Sequence, residues 1–84
     1  MKKYKVNNLN IEKFLHQNKG EIISCIDGTL IDNYLIENKR GYIILMETYV
    51  NCWTSNYSLL FSTDVKAIDK IWNDLAYKYN EMMG

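Results

Sequence analysis

The run from Arg40 to Ser62, RGYIILMETYVNCWTSNYSLLFS, is rich in β-forming residues and shows no three-to-four-residue apolar rhythm. It is too long for one ordinary strand and is expected to double back as two antiparallel strands. Ahead of it lie EIISCI and TLIDNYLIE, separated by Asp27-Gly28. An Asp-Gly pair between two β-rich runs predicts a type I′ hairpin, which would set Ile26 opposite Thr29.

The next turn is Asn38-Lys39-Arg40-Gly41. Two or four loop residues there give the same register, with Leu35 opposite Ile44, Tyr34 opposite Leu45 and Asp32 opposite Glu47. The last turn falls at Asn51-Cys52 or Ser55-Asn56, and an even loop of either kind turns Tyr57, Leu59 and Phe61 the same way. These join Ile22, Ile26, Ile31, Leu35, Ile44, Met46 and Val50 on a predicted core face.

Helices are expected at both ends. Asn8 or Asn10 caps a short one carrying Ile11, Phe14 and Leu15, with Gly20 at its left-handed end. The second starts at Thr63 as N-cap and buries Val65, Ile68, Trp72, Leu75, Tyr79 and Met82, widened by Ile71 and Ala76. The expected fold is α+β in one domain, residues 1–84. It is a four-stranded antiparallel meander in the order α-β-β-β-β-α, with the C-terminal helix packed across one face.

The other face would then show Ile23, Cys25, Leu30, Asp32, Tyr34, Ile36, Ile43, Leu45, Glu47, Tyr49 and Trp53. So apolar a surface predicts a partner site or a dimer interface. The alternative places the N-terminal helix over it, giving helices on both sides of the sheet.

Charge narrows the function. The chain has ten basic and ten acidic groups. Residues 1–20 hold five lysines against Glu12, while residues 21–84 hold five basic against nine acidic groups, so the two parts stand at +4 and −4. A neutral total argues against a duplex binder, which needs a concentrated basic surface. His16 is the single histidine and belongs to no ligand cluster. Cys25 on the outer face and Cys52 on the core face would lie too far apart for a disulfide, and reduced thiols suit a cytoplasmic protein.

Asp27, Gly28, Thr29 and Leu30 resemble the end of the first motif of the haloacid dehalogenase phosphatases, Asp-x-Asp-Gly-Thr-Leu. Cys25 stands at that motif's nucleophile position, and 84 residues cannot supply the parallel sheet the chemistry needs. The resemblance therefore implies no activity here. Asp32 opposite Glu47 is the one pair with the makings of an acid and a base.

No enzyme, cofactor, metal or membrane span is expected. Lys, Asn, Ile and Tyr, whose codons are AT-rich, are favoured, which points to an AT-rich bacterial genome or its phages. The expected function is a small intracellular protein-interaction module, of the kind with which a phage or mobile element inhibits a host defence protein. Its partner-binding residues are Asp32, Tyr34, Leu45, Glu47, Tyr49 and Trp53. Alternatives are single-stranded nucleic-acid binding by stacking on Tyr34, Tyr49 and Trp53, and a homodimer formed by the outer faces.

Overall fold

In the computed structural model, which describes the backbone of residues 1–83 and the side chains of residues 1–79, the centre of the sheet is the hairpin of β3 (Ile31–Asn38) and β4 (Gly41–Tyr49). Asn38 closes its two-residue turn. The Oδ1 of Asn38 accepts from the amides of Arg40 at 2.9 Å and Gly41 at 3.1 Å. The register is the one the turn predicts, with Leu35 paired to Ile44, Tyr34 to Leu45 and Asp32 to Glu47.

The remaining elements are β1 (Lys2–Val6), α1 (Ile11–Asn18), β2 (Glu21–Ile26), β5 (Ser55–Ser62) and α2 (Val65–Met83). The class is α+β, but the antiparallel sheet has five strands, in the order β1-β5-β4-β3-β2. The strand missing from the four-stranded meander is β1. Its alternation hides in a lysine run: Tyr4 and Val6 pair with Leu59 and Tyr57 on one face, between Lys3 and Lys5. Tyr4 sets its ring edge-on to Phe61 at 5.6 Å.

Two loops and one bulge depart from expectation. Asp27-Gly28 makes no two-residue hairpin, because Asp32 Oδ1 captures the Gly28 amide at 3.0 Å and the connection widens to residues 27–30. Ile26 pairs with Asn33 in place of Thr29, and a bulge near Ile23 brings Ile22 opposite Ile36. Between β4 and β5 the loop is residues 50–54, an odd number. Asn51 folds it: its Oδ1 accepts from the Trp53 and Thr54 amides, and Val50 donates to the Thr54 carbonyl. The odd count turns Tyr57, Leu59 and Phe61 away from Leu35 and Ile44, so their predicted place on that face is reversed.

The two helices consequently lie on opposite faces. On one, Ile68, Ile71, Trp72 and Leu75 of α2 pack on Leu35, Ile44, Tyr42 and Leu60. The apolar stripe of α2 thus does what its spacing predicts, while Val65 is exposed and Met82 lies outside the described side chains. Its N-cap is Asp64 and not Thr63: Asp64 Oδ1 accepts from Lys66 and Ala67. On the other face, Leu9, Ile11, Phe14 and Leu15 cover Ile36, Ile43, Leu45 and Leu59.

Asn10 caps α1, accepting from the Lys13 amide at 3.0 Å. Its left-handed residue is Lys19, at φ 51°, rather than Gly20. Gly20 serves close packing, since a Cβ there would stand 2.7 Å from Ile36 Cγ2. Asn33, fully buried on the α2 side, finds no hydrogen-bond partner among the described residues, at a cost of about 1–3 kcal/mol for each unmet group. No helix among the described residues is long and apolar enough to cross a membrane.

Candidate functional site

The α1-side face divides along its length. Where α1 lies, the sheet is sealed: Ile36, Ile43 and Leu45 are buried. Toward the loops at residues 27–30 and 50–54, the same face carries Asp32, Tyr34, Glu47, Tyr49 and Tyr57 outside the buried core. Alternation puts them there, since cross-strand pairing sets Asp32 against Glu47 and Glu47 against Tyr57.

Hydroxyls hold the two carboxylates. Tyr49 donates to Asp32 Oδ2 in a short bond, and its oxygen also lies 3.2 Å from Glu47 Oε1. Tyr57 donates to Glu47 Oε2 at 2.9 Å, and the Gly28 amide donates to the second oxygen of Asp32. A phenol has one proton, so Tyr49 cannot satisfy both acids. Glu47 Oε1 is left as an acceptor facing an acceptor.

The charge of the pair shows in its neighbours. The Tyr49 hydroxyl is held far above its ordinary range, first by its bond to Asp32 and then by burial and the two acidic charges. Burial raises Tyr34, with Asp32 and Glu47 adding to it. Tyr57 is raised by burial and by its bond to Glu47. At the adjoining edge, Cys25 donates to Asp27 Oδ1 at 3.3 Å, and that bond, with burial and the charges of Asp27 and Asp32, raises its thiol. The bases of the β3–β4 turn, Lys39 and Arg40, sit roughly 20 Å away for six residues of extended chain, while Lys5 of β1, opposite Ser58, lies about 10 Å from Met46 across two strands, with alternation turning it to the α2 side.

At the same end of the sheet lie exposed apolar groups. Leu30 is 65 % exposed, and its carbonyl accepts from the Tyr49 amide; Val50 and Trp53 follow in the next loop, with Trp53 90 % exposed. The structure thus gathers Asp32, Tyr34, Glu47 and Tyr49 as the sequence pattern predicts and places Trp53 at the same end. Leu45 is corrected: it is 0 % exposed, under α1, and presents nothing to a partner. Cys52 is corrected too, lying exposed in the loop rather than on a core face.

The chain matches no protein-family model, no curated protein and no solved structure. Function is therefore argued from the site's own chemistry. Tyr57 is the member of the site that sequence reasoning missed, because its face depends on the parity of the loop before it. The signal was Asn51, whose side chain can fold a loop by accepting from amides two and three residues on.

Proposed function

We propose that this chain is a small protein-binding module and that its docking surface is the acid-and-aromatic end of the α1-side face. The observation that carries the reading is one unmatched acceptor: Asp32 and Glu47 compete for the single proton of Tyr49, which leaves Glu47 Oε1 without a donor, and β3, β4 and β5 contain no lysine or arginine. A lysine or arginine from a partner would supply the missing donors in a charge-assisted bond. Exposed Trp53, Leu30 and Val50 at the same end of the sheet offer apolar area and a ring on which a guanidinium can stack. The fitting partner is a protein presenting a basic residue flanked by apolar ones.

Blocking such a surface requires no chemistry from the blocker. That accords with a role as an inhibitor of a host protein, carried by a phage or mobile element. The α1 helix removes the ground for the face-to-face homodimer, because it already buries the apolar half of that face. Stacking of single-stranded nucleic acid is disfavoured here by two carboxylates among the rings.

The test is co-purification from the native cell with three baits: wild type, Trp53→Ala, and Asp32→Asn with Glu47→Gln. A protein held by wild type, released by either variant and weakened by salt supports the reading. Equal retention by all three moves the docking surface elsewhere.

A further inference from the structure

The opposite end of the same face has the reverse character. Between the last turn of α1, the β3–β4 turn and the junction of β5 with α2 lies a cleft of about 680 Å³. Four cationic side chains from three separate segments line it: Lys2 of β1, Lys19 after α1, and Lys39 and Arg40 of the hairpin turn. Phe61 forms apolar wall, and Ile43 borders the cleft from within the core. Among the described residues the only carboxylate in the lining is Asp64, and it is engaged in capping α2.

These charges have no common structural reason. Lysines along β1 guard a free sheet edge against strand addition, which accounts for Lys2. It does not account for Lys19, Lys39 and Arg40, which lie off that edge. Asn38 ties the segments together: its Nδ2 donates to the Asn18 carbonyl at 3.2 Å while its Oδ1 fixes the turn carrying Lys39 and Arg40. Lys19 moreover holds the left-handed conformation that a glycine adopts without strain. Like charges gathered round one cleft repel weakly in water and favour an anion between them.

We infer that this cleft binds a phosphorylated small molecule of nucleotide size, with Lys19, Lys39 and Arg40 on its phosphates and Phe61 against its ring. The volume falls in the range of small-ligand sites. Arginine and lysine from different segments match a group with several charged oxygens. The site is independent of the acidic docking end.

The experiment is calorimetric titration of the whole chain with pyrophosphate, with ADP, and with a short single-stranded oligonucleotide bearing or lacking a 5′-phosphate. The variants are Lys19→Gly and the pair Lys39→Gln with Arg40→Gln. Saturable binding of ADP and pyrophosphate is expected, weakening as salt rises from about 0.05 M to about 0.3 M. Each variant should bind about tenfold or more weakly.

Lys19→Gly separates binding from folding, because it relieves the backbone while removing the charge: its melting temperature should rise as its affinity falls. No saturable binding of either small probe, or undiminished binding by both variants, overturns the inference. So does binding of the oligonucleotide regardless of its 5′-phosphate without binding of ADP, which would make the cleft a strand-binding surface.

Discussion

Tyr49 joins two strands' worth of negative charge through one proton, and its removal shows what the acid pair costs. Tyr49→Phe leaves Asp32 and Glu47 facing without that donor, and the loss should be about 1 kcal/mol, small because water reaches the site. The folded state raises the Tyr49 hydroxyl above the ordinary tyrosine value near 10. A group raised on folding stabilises fully below its unfolded value and loses that contribution as pH climbs through the folded one. The gap between wild type and Tyr49→Phe in urea midpoints should therefore hold to about pH 10 and narrow above it; a widening gap would refute the bond's role. Leu45 and Trp53 make a second contrast. Leu45→Ala opens a hole beneath α1 and should cost about 2–5 kcal/mol. Trp53→Ala should stay within about 0.5 kcal/mol by the same urea unfolding, since its ring is in solvent.

Among the elements, the β3–β4 hairpin and the loop at residues 50–54 decide the arrangement of the sheet. Gly41 opens β4 at φ 147°, where a Cβ would also stand 2.6 Å from the Ser62 carbonyl oxygen. Gly41→Ala should cost about 1–3 kcal/mol, read as a lowered urea midpoint. The loop offers a test of parity. Deleting Cys52 leaves an even loop that aims Tyr57, Leu59 and Phe61 at the α2 side, where no space is kept for them. Inserting two residues after Cys52 preserves their direction and costs little loop entropy. The insertion should melt near wild type and the deletion far below it, whereas equal melting of the two would mean that β5 slides in register.

At the level of the molecule, a sheet between two helical layers carries opposite charge at its two ends. About 20 Å of strand separates them, beyond a screening length of about 8 Å at physiological salt, so the two ends are electrostatically independent of each other. The layers should nevertheless unfold together, because β3 and β4 contribute to both cores. In a Trp53→Phe background the half-buried Trp72 reports on α2 alone. Its fluorescence and the far-ultraviolet dichroism should trace one urea transition, and an earlier Trp72 transition would show α2 leaving first.

Local chemistry was legible where its consequences stay local. The Asn38–Gly41 turn set the β3–β4 register and hence the meeting of Asp32, Tyr34, Glu47 and Tyr49, because alternation along a strand needs no information from elsewhere. The apolar spacing of α2 likewise showed which of its residues would be buried. What the chain alone left open hung on counts and contacts between distant parts. A side-chain hydrogen bond from Asn51 made its loop odd and reversed β5, and Asp32 opened the connection at residues 27–30. The pairing of β1 with β5 and the burial of Leu45 under α1 required surfaces far apart in sequence to meet. So did the gathering of Lys2 and Lys19 with Lys39 and Arg40. Such meetings follow from the packing of the whole sheet, to which no local pattern has access.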